Sequence, residues 1–356
     1  MRNFFPAPTR WLIVLPLAFS IQAAAHPDPL ENIKIYTYIL SVSPDNSYAY
    51  LNRGISYRMV FDFQNAMEDF QKAEELGVTG RYLWMNRAMT NVSLKNFDEA
   101  IKDIDAILEE DPEDASSWFY RGEIHFHKKD FEKAISDYTK SLEVKETAHV
   151  RFVRGDAYRT LGDYEKALED YTSAVEKRPY TVGFFIARAR CLSLMGRLEE
   201  ARADLDEAAR KQPERYQVYI ERAVLSASQS LEASKEADIE KALRYLDDEF
   251  FFRPKDSSLH ADRARVYELA SRFEEAEEDL NYAVQYAEYT DPKYLRLRAE
   301  FLERRGRKEA AESDRELARE VEARPMPTAT PLPGPTLTLE ELTLQPTPNL
   351  LPGLAR

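Results

Sequence analysis

The stretch Ala148–Pro179, AHVRFVRGDAYRTLGDYEKALEDYTSAVEKRP, reads at helical spacing as two short amphipathic helices joined by a turn at Gly162-Asp163. Gly155 and Ala167 are the small residues at which two helices can approach closely, and Tyr158, Tyr164 and Tyr171 fill the space left around that contact. Pro179 closes the unit, because it lacks an N–H and fixes φ. One such hairpin has too little core to stand alone.

Working outward, the Arg-Gly dipeptide at Arg154 recurs as Arg-Gly or Arg-Ala at Arg53, Arg87, Arg121, Arg188, Arg222, Arg263 and Arg298. Successive arginines are 34, 34, 33, 34, 34, 41 and 35 residues apart. Twelve residues after the small member of each pair stand Ala66, Ala100, Ala134, Ala167 and Ala201, then, after a break in the sixth copy, Ala276 and Ala311. Pro112, Pro179, Pro213 and Pro254 close four of the units. A fixed period of this length predicts a helical solenoid.

The residues resemble the tetratricopeptide repeat. Its alternation of aromatic and small residues ending in proline is met by Trp84, Ala88, Phe97, Ala100, Ile104, Ile107 and Pro112, and again by Trp118, Gly122, Phe131, Ala134 and Tyr138. The resemblance covers residues 47–323, with copies starting near 47, 81, 115, 148, 182, 216, 257 and 292. Asn91, His125 and Ser226 depart from it where a larger apolar residue is usual, and Lys308 and Arg315 replace two aromatics of the last copy. The resemblance implies an all-α, right-handed superhelical solenoid whose concave face binds a protein or peptide, rather than an active site. That face would carry Tyr48, Leu51, Ile55 and Met59 from the first copy, Tyr82, Met85, Met89 and Val92 from the second, and Phe119, Phe126 and His127 from the third. Such residues would form an apolar trough, since Met adapts its shape and Tyr offers a large anchor. Farther along, the equivalent positions turn charged, with Asp156, Arg159, Arg190, Arg265, Glu268, Arg296, Glu300 and Glu303. The alternative is that the apolar residues pack on one another or on the chain's own N-terminal segment, because packing and binding stripes share one spacing.

Residues 1–25 carry Arg2 and Arg10, an apolar run from Trp11 to Ala18, and Ala23-Ala24-Ala25 before His26, the pattern of an export signal with a small-residue cleavage site. The run is too short to span a bilayer, so the mature protein is expected outside the cytoplasm, in a periplasm most simply. Removing two arginines takes the net charge from 49 − 63 = −14 to 47 − 63 = −16. A body this acidic repels nucleic acid and anionic lipid, so neither is expected as a partner. The single cysteine, Cys191, excludes an intrachain disulfide and leaves stability to stacking.

Residues 28–46 read as a capping helix ahead of the first copy, and the charged last copy as the opposite cap. The long sixth interval predicts a seven-residue insertion near 226–237, either as extra turns on a helix or as a loop. From 324 to 356 the composition shifts to prolines and a Leu337, Leu339, Leu342, Leu344 strip, which predicts a disordered, mostly extended tail.

Sixteen residues after their arginines stand Asp69, Asp103, Asp137, Asp170, Asp204, Asp279 and Asp314, and with an insertion expected at 226–237 the sixth copy is aligned to none. The pairs Arg53–Asp69, Arg87–Asp103, Arg121–Asp137, Arg154–Asp170, Arg188–Asp204, Arg263–Asp279 and Arg298–Asp314 are expected to bridge the two helices of each hairpin and fix their register. No phosphate loop, dinucleotide fingerprint, zinc-protease motif or nucleophile elbow occurs, so no enzyme, cofactor or metal is expected. His127 and His149 alone make a weak zinc site. A metal-dependent receptor and a self-assembling filament are the competing classes.

Overall fold

The computed structural model describes residues 28–287 and 291–323. The leader and the Pro-rich segment lie outside the described residues. Among those residues there are seventeen α-helices and no strand, in two compact units divided between Ser93 and Leu94.

The first unit holds α1 (Pro29–Val42), α2 (Ser47–Met59), α3 (Phe63–Glu75) and α4 (Arg81–Ser93). Asp28 caps α1 by accepting from the Leu30 N–H, and Pro29 sits at a first-turn position where its missing N–H costs nothing. The helix expected ahead of the first copy therefore exists, and its Ile33 and Leu40 are buried. The core beneath α2, α3 and α4 is Leu51, Ala66, Phe70, Ala73 and Leu83.

The second unit holds thirteen helices: α5 (Phe97–Glu110), α6 (Ala115–His127), α7 (Phe131–Val144), α8 (Ala148–Leu161), α9 (Tyr164–Lys177), α10 (Val182–Leu194), α11 (Leu198–Lys211), α12 (Tyr216–Ser228), α13 (Glu232–Phe252), α14 (Ser257–Leu269), α15 (Phe273–Tyr286), α16 (Pro292–Arg304) and α17 (Lys308–Ala323). From α6 onward, first and second helices alternate. Each first helix packs on its own second helix, and each second helix on the next first helix.

Local chemistry sets the boundaries. The eighth residue after every repeat arginine has a positive φ: Phe61, Lys95, Lys129, Gly162, Gly196, Ser230, Ser271 and Gly306. All eight hairpins therefore use one left-handed turn, and glycine takes it at three of them. The second helices that precede Pro112, Pro179, Pro213 and Pro254 stop at Asp111, Arg178, Gln212 and Arg253, whose ψ of 61–87° is non-helical. A following proline ring pushes its neighbour out of the α region in this way.

The sixth copy corrects the expected insertion. Its turn residue Ser230 keeps the common offset from Arg222, so nothing is inserted at 226–237. The extra residues instead lengthen the second helix, α13, to 21 residues against 14 for α9 or α11, and carry it to Phe252. An aspartate is present as well, since Asp238 stands sixteen residues after Arg222 and is buried. Lys235 replaced the marker alanine and hid this register. Its aliphatic stem is largely covered while its ammonium reaches Glu232, as long cationic side chains allow.

Candidate functional site

Two sets of side chains separate cleanly: those repeated in every copy, and those that change along the first helices. The repeated set is centred on the arginines. Arg53, Arg121, Arg154, Arg188, Arg263 and Arg298 each donate Nε and Nη2 to the two carboxylate oxygens of Asp69, Asp137, Asp170, Asp204, Asp279 and Asp314, at 2.6–3.0 Å. The remaining nitrogen, Nη1, reaches back to the preceding second helix or to α1. Arg53 meets Thr37 at 3.2 Å, Arg154 meets Thr139 at 2.9 Å and Arg298 meets Asn281 at 2.9 Å. Each arginine so placed ties three helices, with Nε, Nη1 and Nη2 all engaged within the protein. The Arg222–Asp238 contact is looser, at 3.3 Å and without hydrogen-bond geometry. Arg87 lies in the first unit, where Nη1 donates to Glu74 at 2.6 Å, and Asp103 is buried in the second.

Beside the arginine, the small residue is matched to what faces it. A Cβ on Gly54, Gly122 or Gly155 would come within 2.6–2.9 Å of the Phe70, Tyr138 or Tyr171 ring. Where the sequence has Ala189, Ala223 or Ala264 instead, the same offset holds Leu205, Ile239 or Leu280. In these hairpins glycine goes with an aromatic ring and alanine with an aliphatic side chain, which keeps the hairpin volume nearly constant, and the last copy departs from this with Ala299 and Arg315. The tyrosine hydroxyls then donate to the residue after the glycine: Tyr138 to Glu123, and Tyr171 to Asp156 at 2.7 Å.

The variable set begins on α2 and α4. Tyr48 and Tyr82 are 69% and 63% exposed, and Met59 is 50% exposed. Ile55, Met85, Met89 and Val92 are half-buried. Leu51 corrects the expected face: it is buried in the core among Phe70 and Leu83, so it packs rather than binds. Tyr36 of α1 lies near enough to Tyr82 that burial first, and the neighbouring phenol second, push its own phenol up. In the second unit Phe119 and Phe126 are half-buried against Tyr138, Leu142 and Val150, and serve the core with one edge.

Farther along the row the first helices meet through charge. Glu221 of α12, 7% exposed, accepts from Arg190 of α10 and Arg265 of α14, both at 2.8 Å. Burial alone would raise its carboxyl, but the two guanidinium groups more than offset this and hold it below the usual range. A folded pKa below the unfolded one adds stability above the ordinary glutamate value of about 4.3, lost as pH falls through the lowered folded value. Glu221→Gln should therefore lower Tm at pH 7, and the gap to the unaltered protein should persist at pH 5 and narrow in melts at pH 3 and below. An unchanging gap would mean that packing, not charge, holds the site.

Between α14 and α16 the row opens into a cleft of about 520 Å³. Ala261, Leu297 and Phe301 line its apolar part, and Asp262, Lys293 and Glu300 are among its polar walls. Asp262 accepts from the Tyr216 hydroxyl at 2.8 Å, and burial pushes its carboxyl up against the pull of that bond, Arg265 and Lys293.

The tetratricopeptide repeat model matches residues 85–148, 141–182 and 152–215. A solved structure, the C-terminal part of a tetratricopeptide-repeat-containing protein from Cytophaga hutchinsonii, is similar over 61% of this chain and 90% of its own, with a TM-score of 0.54 at 16% identity. Residues 85–215 match the family model, and the fold is that of tetratricopeptide repeat proteins. A tetratricopeptide repeat protein from Parabacteroides merdae is similar over 67% of this chain and 91% of its own, at 18% identity and a TM-score of 0.48. YrrB, described as a tetratricopeptide repeat protein with an unusual peptide-binding site, covers 51% of this chain with 94% of its own, at 21% identity and a TM-score of 0.42. No curated protein sequence matches the chain.

The histidines have separate partners: His127 stacks on Phe97, and His149 tilts against Phe119. Among the described residues no three His, Cys, Asp or Glu side chains converge as a metal site would need. No described helix is long and apolar enough to cross a membrane. Sequence reasoning missed three features of the repeat: the Nη1 contact, the Glu221 triad and the cleft. A signal for the first was present, since Thr37, Asp105, Thr139, Thr172 and Asp206 recur fifteen or sixteen residues before the next arginine. The other two depend on single residues, Glu221 and Ala261, that break the repeat pattern instead of following it.

Proposed function

We propose that this chain is an exported, non-enzymatic scaffold that holds a segment of another polypeptide against the first helices of its repeats. Tetratricopeptide repeats build surfaces for protein partners. The observation that carries the reading here is the exposure of Tyr48 and Tyr82. They occupy the same repeat position, five residues before the arginine, where the other copies have Ser116, His149, Gly183, Gln217, Ser258 and Lys293. Large amphipathic rings held in water at a position that folding leaves free are typical anchors for a protein partner. Export rests on the charged, apolar and small-residue order of Met1–Ala25.

Cross-linking in the native compartment followed by mass spectrometry tests both halves. The mature N-terminus should be His26, and a cross-linked partner should be lost in Tyr48→Asp/Tyr82→Asp while circular dichroism stays unchanged. An uncleaved leader would remove the export reading. Retention of the partner by the folded double variant would remove the aromatic face.

A further inference from the structure

Four residues after the repeat arginine, five of the copies carry a large apolar or phenolic side chain, Tyr57, Tyr158, Leu192, Tyr267 or Leu302, and the third carries His125. The histidine is 9% exposed, and its Nδ1 has no hydrogen-bond partner among the described residues. Two carboxylates stand off from the ring. Asp130 Oδ2 lies 3.8 Å from Nδ1 and Asp137 Oδ2 lies 3.8 Å from Nε2, both beyond bonding length. Asp137 is already engaged by Arg121, at 2.7 and 3.0 Å. Burial is the largest influence on the imidazole and pushes it below its usual range; Asp137 of α7 and Asp130 of the turn pull it up, while Lys133 of α7 and Arg121 of α6 push it further down. Helix α5 also packs on α6 and carries Asp98, Asp103 and Asp105. Lys128 takes Asp98, Arg121 takes Asp105 at 2.5 Å, and neither they nor the buried Asp103 is among the groups that act most on the ring.

We infer that His125 makes the third hairpin an acid-sensitive joint: the neutral imidazole holds α6 on α7, and taking up a proton opens this hairpin ahead of the rest of the array. An imidazolium here is a buried charge whose Nδ1–H has no acceptor within bonding distance, and it lies beside the Arg121–Asp137 pair that fixes the hairpin register. Opening puts the ring in water, so the open form binds the proton that the closed form refuses. With the closed value below the open one, the stabilisation is complete above the ordinary histidine value of about 6.5 and is lost as pH falls from there through the lowered closed value. One proton taken up per opening raises the opening constant by up to about tenfold per pH unit across that window. Repeats hold one another through nearest-neighbour interfaces, so the opening stays local. Helix α6 also carries Phe119 and Phe126, and the joint therefore reshapes that stretch of first-helix surface when it opens.

Hydrogen exchange on the whole chain at pH 7.5 and 5.5, corrected for the pH dependence of the chemical step, reads the opening constant hairpin by hairpin. Between the two pH values the amides of α6 and α7 should gain about threefold to tenfold in opening over those of α10 and α11, which hold no histidine. His125→Leu, the residue type of Leu192 and Leu302, should abolish that excess. So should His125→Gln, which keeps a polar side chain without the titrating proton and serves if the leucine variant folds poorly. In the folded chain the His125 ring, followed by NMR, should titrate below about 6.5. No partner enters the test, so its outcome is independent of the scaffold reading. An acid response of α6 and α7 no larger than that of α10 and α11 would overturn the joint, as would a response that survives in both His125 variants. A ring that titrates at or above the ordinary value, or a response lost in His127→Gln and kept in His125→Leu, would do the same, since the proton would then act elsewhere.

Discussion

Asp170→Ala should lose about 3–5 kcal/mol of stability, the cost typical of removing one partner from a buried ion pair. Its carboxylate is almost fully buried and receives both Arg154 contacts at 2.8 Å and an Arg151 contact at 2.9 Å, so alanine strands the Arg154 guanidinium in the second unit, while Arg151 keeps its two bonds to Glu146. By contrast, alanine at the exposed Arg319, which meets Glu312, should change stability by less than about 1 kcal/mol. Urea unfolding followed by circular dichroism measures both. Because repeat arrays are stabilised through nearest-neighbour interfaces, the Asp170 variant should also show a broadened or split transition. Partner affinity under folding conditions should hardly move, and a folded, stable Asp170→Ala that no longer binds its partner would transfer the arginine row to the binding surface.

Gly122→Ala should change sign with its background. In the unaltered protein the new Cβ would lie 2.6–2.7 Å from the Tyr138 ring, which is fully buried and has nowhere to go. Overpacking of that kind costs about 1–3 kcal/mol, more than the roughly 1 kcal/mol that alanine gains over glycine in a helix. In Tyr138→Leu, which reproduces the alanine-with-aliphatic pairing of Ala189 and Leu205, the clash is gone and Gly122→Ala should stabilise by about 1 kcal/mol. Tyr138→Ala itself should cost about 3–5 kcal/mol as a large core truncation. A double-mutant cycle at Gly122 and Tyr138 reads the coupling directly. Additive effects would mean that the helices separate freely, and that the pairing of glycine with aromatic rings has no energetic basis.

The hairpin was legible because the quantities that define it are local or periodic. Helical spacing, turn residues and the sixteen-residue offset from Arg53 to Asp69 or Arg298 to Asp314 can be counted along the chain, and the ion pairs follow from geometry that six copies share. The sixth copy was misread for the same reason. With Lys235 in place of the marker alanine, the offset to Asp238 lost its signpost, and of the two forms open for the seven extra residues the structure has the extra helical turns, added to α13 after a turn that keeps the common left-handed residue Ser230. Leu51 was misread because one helical stripe serves both packing and exposure. Only the position of Phe70 and Leu83 puts Leu51 inside.

By itself the sequence determined the all-α class, the eight copies, the hairpin register of most of them and the ion pairs that lock it, since each of these repeats and so announces itself. The tertiary structure decided which first-helix side chains reach water, that Arg190, Glu221 and Arg265 meet across three helices, and that Ala261 leaves a space instead of being filled from the next helix. Those outcomes depend on how neighbouring repeats pack, a contact between residues some thirty to forty positions apart whose side-chain volumes and charges no single periodic pattern encodes.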